Sequence, residues 1–535
     1  MTCPRRYRSG PGALPSGMCP EVRKIGVDLW RSAVVAVAVS ALQACSSFSS
    51  LPPLPAEPRA VETASPPATA PLWTEVEEVR RDNWNILLND GATALDWRLT
   101  AIDSATQSLD LQTFLWSLDR VGSAMLNHLL AAADRGVRVR LLVDDSFLLG
   151  EDDLLLALAE HPNIAYRVFN PYKRRQDGFA TREAMNLGDF DRLNHRMHNK
   201  VMLVDNRVAI VGGRNLADEY FGLHEEANFR DMELLVGGDI VPSLSAVFDD
   251  YWNDLWSVPI EALAHRGPNY ERLSDTVRIR DPELLAHSES EQPALLLRWR
   301  TAVKDALPGE PELLVDTPPP ADITAESSAP MQLAQELIEV FDSAREEVIV
   351  ISAYLIPSPG LEAVVERAAR RGVRIRILTN SIRSNNHITA HSAYRNHIGE
   401  LMEDGAELHE VRIDAGNRTR YMLSPVDKKA LALHAKVLVI DGDRVFVGSP
   451  NLDPRSMRIN TEVGLLVRSE ALNERIRESV EPDLSQANAW SLQLDESNRV
   501  VWVAEGQTLS KQPAASFMQR LEDWFFAHLP IEGQM

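Results

Sequence analysis

Cysteine is almost absent from this chain. Only Cys3, Cys19 and Cys45 occur, all within the first 45 residues, so nothing downstream can carry a disulfide framework or a cysteine-based metal site. The apolar run near the start, Ala33 to Leu42, is too short to span a bilayer, which takes about 20 apolar residues. Basic charge is also in deficit. The 55 Lys and Arg against 77 Asp and Glu leave a net charge of −22, which argues against a nucleic-acid partner. Clusters such as Lys173-Arg174-Arg175 and Lys428-Lys429 are too small to reverse the sign. The same deficit means that bulk charge would not hold the chain to an anionic membrane. Core size is not limiting: 535 residues at 44% hydrophobic content leave room for two to four domains.

What is present is a short stretch that occurs twice. His198, Lys200, Asp205 and Gly212-Gly213-Arg214-Asn215 form the first copy; His434, Lys436, Asp441 and Gly448-Ser449-Pro450-Asn451 form the second. Both read HxKxxxxD, then six residues, then a Gly-small-x-Asn turn, at a constant offset of 236 residues (434 minus 198). A fixed offset is the mark of a duplicated unit. Upstream, Gly136 and Gly372 each end a helical pattern that runs into an apolar strand, again 236 apart (372 minus 136). The duplication therefore predicts two similar α/β lobes, each a mixed sheet flanked by helices, with a pseudo-two-fold axis and the functional site on it.

His and Lys two apart on an extended segment share a face, and the apolar runs that follow predict a hairpin in each copy with Asp205 or Asp441 fixing its turn. Glycine at the corner lets backbone approach a ligand, and Asn215 and Asn451 supply amide donors, with Ser449 a further candidate. Two imidazoles, two ammonium groups and two amides around one pocket suit a tetrahedral anion. Phosphodiester chemistry needs a nucleophile, an acid for the leaving alkoxide, and cations to offset oxygen charge. Paired His groups share the first two tasks, and the inventory requires no metal or other cofactor. Asp231 and Glu462 each precede an apolar run after the glycine corner. They are expected to accept the second ring N–H of a catalytic His, the alternative being ordinary ion pairing at a strand edge.

These motifs resemble the phospholipase D superfamily, whose two HxKxxxxD copies meet between similar halves. Arg196-Met197-His198-Asn199-Lys200, Asp218-Glu219-Tyr220-Phe221 after the first corner, and Asn460-Thr461-Glu462-Val463-Gly464 look like the bacterial cardiolipin synthase C branch. The resemblance implies phosphatidyl transfer between phospholipids, with phosphatidylglycerol and phosphatidylethanolamine as candidate substrates. It implies a covalent phosphatidyl-histidine, with His198 as nucleophile and His434 as acid and base. It supports the carboxylate role for Asp231 and Glu462, and it places His391 in a stretch similar to a substrate-side segment. A phospholipase D that hydrolyses its lipid, a non-lipid phosphodiesterase or nuclease, and a non-catalytic lipid-binding scaffold are the other readings.

Arg23-Lys24 and Arg31 ahead of Ala33 to Leu42, closed by Leu42-Gln43-Ala44-Cys45, have the form of a lipoprotein signal peptide over residues 1–44, with Cys45 lipidated. A start at Met18 would give a more usual length, and an uncleaved signal anchor is the alternative. Ser46 in place of Asp leads us to expect the outer membrane of a bacterial envelope, facing the periplasm. Residues 45–72 read as a Pro/Ala-rich tether, 73–265 as the first lobe, 266–328 as a linker, and 329–535 as the second lobe. Within the linker, Leu295 to Val303 shows two-beat alternation. Residues 73 to 107 show helical periodicity. The apolar positions from Phe517 to Leu529 predict a helix packed on its own domain, a membrane-contacting helix being the alternative.

Overall fold

The computed structural model describes residues 71–148, 150–175, 178–264, 292–320 and 331–529. The expected signal segment, Cys45 and nearly all of the tether lie outside them. Ten strands come from the first part of the chain: β1 (Trp84–Leu88), β2 (Ser108–Thr113), β3 (Arg138–Asp144), β4 (Ile164–Phe169), β5 (Val201–Val204), β6 (Val208–Gly212), β7 (Ala227–Arg230), β8 (Glu233–Gly237), β9 (Ser257–Pro259) and β10 (Leu307–Pro308). Eleven follow: β11 (Glu310–Val315), β12 (Glu347–Ser352), β13 (Arg374–Asn380), β14 (Ala406–Val411), β15 (Ala430–Leu433), β16 (Lys436–Ile440), β17 (Arg444–Gly448), β18 (Val463–Arg468), β19 (Ala489–Leu494), β20 (Val500–Ala504) and β21 (Gln507–Leu509).

The expected pair of mixed sheets is present. One has the order β10-β1-β8-β6-β5-β2-β3-β4-β9 and the other β11-β18-β17-β16-β12-β13-β14-β19-β20-β21. The inner six strands correspond one to one. β2, β3 and β4 are parallel, as are β12, β13 and β14, joined by helices such as Arg120–Asp134 and Pro359–Arg370. Each helix runs out into a glycine with positive φ, +94° at Gly136 and +86° at Gly372, a conformation that costs other residues a Cβ clash.

The two-residue period of the strands divides the core. In β5 and β6, Met202, Val204, Val208 and Ile210 pack on the first lobe's helices, whereas Val201, Leu203, Ala209 and Val211 join a second cluster. Val437, Val439, Val445 and Val447 of β16 and β17 enter that same cluster from the other side. Strands buried on both faces read as unbroken Val/Ile/Leu runs, and the sequence has them here. The lobes thus share one apolar interface.

The described part of the segment between the lobes, residues 292–320, holds a helix and two strands. Leu295 to Val303 lies in a helix, Gln292–Asp305, which buries Leu295, Trp299 and Val303 at four-residue spacing. The apparent two-beat alternation is overridden by this helical period, because Trp299 packs against Trp73 and Trp97. The chain then adds β10 to the first sheet and, one residue later, β11 to the second. Gly309 is the crossing point, where a Cβ would sit 2.6 Å from Val467 Cγ1. Residues 73 to 107 likewise hold a strand, β1, between two helices. Among the described residues no helix is long and apolar enough to cross a membrane.

Candidate active site

Each motif's aspartate ties its hairpin to the strand beside it. Asp205 and Asp441 occupy the turns at φ 51° and 50°, a conformation Asp tolerates better than most residues. Asp205 accepts from the backbone N–H of Thr106, Gln107 and Ser108 at 2.7–2.8 Å and from the Trp73 indole at 2.7 Å. Asp441 accepts from the N–H groups of Arg345, Glu346 and Glu347. Both lie at the starts of the central parallel strands and bind those strands into register.

The histidines sit in the short extended segments that enter β5 and β16, and both are clasped by the opposite lobe. The N–H of His198 donates to Thr461 O, and that of His434 to Arg230 O, both at 2.9 Å. The residue after each acceptor is the carboxylate that holds the ring. His198 Nδ1 lies 2.9 Å from Glu462 Oε2, and His434 Nδ1 lies 2.6 Å from Asp231 Oδ2. Each lobe therefore supplies the imidazole of one pair and the carboxylate of the other. The short parallel pair β7 and β15 completes the crossing of the lobes.

Burial lowers both imidazoles. His198 falls to about 4, with Lys200 and Lys436 adding to the effect and Glu462 opposing it; His434 falls to about 3, pressed further by Lys436. Burial alone would raise Asp231 and Glu462. For Asp231 the charges of His434, Lys436 and Arg214 outweigh it, and for Glu462 those of His198 and Lys200 with the Ser449 hydrogen bond. Both carboxyls are held below their usual range. The lysines are depressed chiefly by burial, Lys200 to about 7 and Lys436 to about 8. Lys200 Nζ donates to His198 O, whereas Lys436 Nζ contacts His434 O and lies 3.1 Å from His434 Nε2. Aromatic rings wall the site: Phe114 stands edge-on to His198, and Tyr220 and Phe229 flank His434, with centroids 4.9–5.2 Å away.

Other candidates divide. Asn215 and Asn451 are buried, and the side-chain oxygen of each has no hydrogen-bond partner. Asn215 Nδ2 donates to Tyr220 Oη; turning this amide over would let the tyrosine hydroxyl donate instead and free the Asn N–H groups for an anion. Ser449 differs from the expectation. Its hydroxyl proton goes to Glu462 Oε2 at 2.5 Å and its oxygen accepts the Val463 N–H, so it acts on the carboxylate rather than on a phosphoryl oxygen. His391 also departs from the substrate-side expectation. It is fully buried, its Nδ1 is 2.7 Å from Asp523 of the C-terminal helix, and it serves to hold that helix.

Asp144 and Asn380, matched strand-end positions where the sequence allows either a polar contact to a headgroup or a cap on the following segment, act instead as positioning residues. Asp144 Oδ2 accepts the N–H of Met197, and Asn380 Oδ1 accepts that of Leu433. Each acceptor ends the middle parallel strand of its lobe, each donor immediately precedes a catalytic His, and both pairs are 236 apart (380 minus 144, 433 minus 197). The constant offset pairs them in the sequence, but not their backbone partners. Asp145, in turn, is occupied by Tyr172 N–H and Arg175.

Comparison with known proteins follows the same division of the chain. The family model described as "Cardiolipin synthase, PLD-like domain" matches twice, over residues 99–252 and 337–484. The chain is 35% identical to cardiolipin synthase C of Escherichia coli K12 over 82% of this chain and 93% of that protein. Cardiolipin synthase B of the same strain is 26% identical over 85% and 93%. An uncharacterized protein of Helicobacter pylori 26695 is 30% identical over 86% and 92%. The crystal structure of phosphatidylserine synthase from Haemophilus influenzae Rd KW20 shares the fold at a TM-score of 0.53, with 13% identity over 78% of this chain and 92% of that one. With two matched domains, each carrying one half of the crossed His–carboxylate site, this chain belongs to the phospholipase D-like cardiolipin synthase family.

Proposed function

We propose that the protein is a phosphatidyltransferase that joins two phospholipids through a phosphatidyl-histidine, in the manner of a cardiolipin synthase. The observation that carries this reading is the pair of buried imidazoles, each anchored at Nδ1 by a carboxylate of the other lobe. With Nδ1–H donated to Glu462, the lone pair of His198 is at Nε2, ready to attack phosphorus. The Lys436 ammonium lies against the His434 ring, 2.9 Å from Nδ1 and 3.1 Å from Nε2, which favours His198 as the nucleophile and leaves His434 to handle protons.

In the first half-reaction the His198 Nε2–P bond forms and the P–O bond to the leaving alcohol breaks. His434, charged when the bound phosphodiester anion raises its basicity, gives its proton to the departing alkoxide. In the second half, neutral His434 takes the proton of an incoming hydroxyl, whose oxygen attacks phosphorus and releases His198. Lys200 and Lys436, with the amides of Asn215 and Asn451, offset charge on the non-bridging oxygens. Phosphatidylglycerol as acceptor and phosphatidylglycerol or phosphatidylethanolamine as donor fit this scheme. Lipidation at Cys45 and outer-membrane sorting toward the periplasm would bring the site to its substrate.

The test is a lipid product assay with phosphatidylglycerol alone and with phosphatidylethanolamine added, run without metal. Cardiolipin made by the parent and lost in His198→Ala and His434→Ala supports the transferase and identifies the donor. Phosphatidic acid alone makes the enzyme a phospholipase D. Turnover only of non-lipid phosphodiesters, or lipid binding with no turnover, overturns the lipid-transfer reading.

A further inference from the structure

The C-terminal helix, Phe517–Phe526, is turned the wrong way for a packed helix. Its Asp523 is fully buried, held by His391, Ser392 and Arg395, whereas Phe517 is 73% exposed, Trp524 50% and Phe525 54%. Met518, Leu521 and Leu529 are exposed beside them. The expected packing of the apolar face on the domain is therefore reversed, because the acid finds three polar partners inside and the aromatics find none. Isolated apolar side chains on a surface mean little, but a contiguous aromatic face is an interaction site.

Its place relative to the catalytic groups follows from the duplication. Gln519 Nε2 donates to Ile382 O, just beyond β13. At the matching position of the first lobe, 236 residues earlier (382 minus 146), Ser146 O accepts from Arg182 of the helix Phe179–Met185. That helix ends in the exposed Met185, and next to Ser146 stands the exposed Phe147. Phe147 packs edge-on against Phe114, which packs against His198. Each lobe thus docks a helix on the loop beyond its middle parallel strand, at the strand ends that face the catalytic residues, and each place presents apolar side chains outward, Phe147 and Met185 in the first lobe and the C-terminal helix face in the second.

We infer that these two sets of side chains form a membrane-docking rim around the mouth of the site, which seats on the headgroup and acyl boundary of a phospholipid surface. The inference rests on the lipid reading of the site. A buried catalytic pocket that takes lipids must meet them at the surface where they lie, and aromatic residues favour that boundary. With a net charge of −22, attraction to anionic headgroups would not supply the binding. Apolar insertion must carry it.

The test uses the full chain with Cys45→Ser, to remove any acyl anchor, and vesicles of phosphatidylethanolamine and phosphatidylglycerol with brominated acyl chains. With Trp30→Phe also introduced, Trp524 is the reporter, since the other nine described tryptophans are buried. The expected result is partition onto vesicles with quenching that Trp524→Phe abolishes. The double variant Phe517→Ser, Phe525→Ser should bind about tenfold or more weakly. Turnover of dihexanoylphosphatidylglycerol, dispersed as monomers, should be the same in parent and double variant. Unchanged partition of the double variant, or absence of quenching, overturns the inference. So does self-association of the parent that protects Trp524, which would assign the face to a second copy. If the parent binds vesicles but turns over no lipid, monomeric or dispersed, the lipid-transfer reading fails and docking stands by itself.

Discussion

The two halves of the active site have the same parts and different environments. In one, His198 shares its Nδ1 proton with both oxygens of Glu462, at 3.0 and 2.9 Å. In the other, His434 makes a single shorter contact of 2.6 Å with Asp231, and Lys436 crowds its ring. Duplication supplied two equivalent imidazoles, and under the proposed phosphatidyl transfer these local differences divide their work. A free Nε2 suits attack, and a ring beside an ammonium and a strongly ionised carboxylate suits proton transfer.

Removing either ring should produce the largest effect and expose the difference. Both His198→Ala and His434→Ala should lower turnover by about 10³-fold or more. Only the His434 variant retains a nucleophile. With an activated donor whose leaving group needs no proton, such as a p-nitrophenyl phosphodiester, it should release a burst and accumulate phosphorylated His198, detectable by mass spectrometry. Label on His434 in the His198 variant would reverse the assignment. The carboxylates come next: Glu462→Gln and Asp231→Asn keep the shape but lose the charge that fixes the tautomer and supports the imidazolium, for a loss of roughly 10²–10⁴ in kcat.

The pH profile of kcat/KM sharpens the same comparison. Rising pH strips the proton from Lys200 near about 7 and from Lys436 near about 8, removing the charges that hold the phosphodiester. Falling pH protonates His198 near about 4 and blocks its lone pair. A two-step alkaline limb is expected. Lys200→Arg should leave only the step near about 8; a profile that stays unchanged would separate the lysines from substrate charge.

The hairpin aspartates extend the contrast to stability. Asp205 is buried, and its carboxylate satisfies three backbone donors, the Thr106 hydroxyl and the Trp73 indole. Asp441 is half-buried, and its donors lie near water. Asp205→Ala should therefore cost about 3 kcal/mol or more in denaturant unfolding, and Asp441→Ala about 1 kcal/mol beyond the backbone cost at positive φ that both share.

Much of this was legible because the duplication repeats at one offset. The paired motifs, hairpins and β-α-β order follow from residues 236 apart, and the two-lobe architecture follows from them. What escaped was whatever depends on which lobe faces which. That His198 meets Glu462 and His434 meets Asp231 is a property of the interface, invisible to periodicity within either half. The helix Gln292–Asp305 escaped because its hydrophobic partners, Trp73 and Trp97, lie some 200 residues away in sequence. The C-terminal helix was visible as amphipathic, but its orientation was decided by one buried acid, Asp523, meeting His391.

The smallest expected effect concerns Ser449, whose counterpart at the same offset is Gly213. The first lobe has no room for a hydroxyl there, since a Cβ on Gly213 would collide with the Asp231 carboxylate. In the second lobe Ser449 fills that space and donates to Glu462, which helps hold the carboxyl ionised. Ser449→Gly makes the second half resemble the first. Because the hydroxyl acts on the carboxylate and not on substrate, kcat should fall by about ten- to a hundredfold, the size of one lost hydrogen bond to a charged group, while KM stays unchanged. The acid limb, set by His198, should move to higher pH, since a Glu462 carboxylate relieved of the Ser449 hydrogen bond supports the His198 imidazolium more strongly. A rise in KM with kcat intact would instead place Ser449 on the phosphoryl oxygens and return it to the binding set.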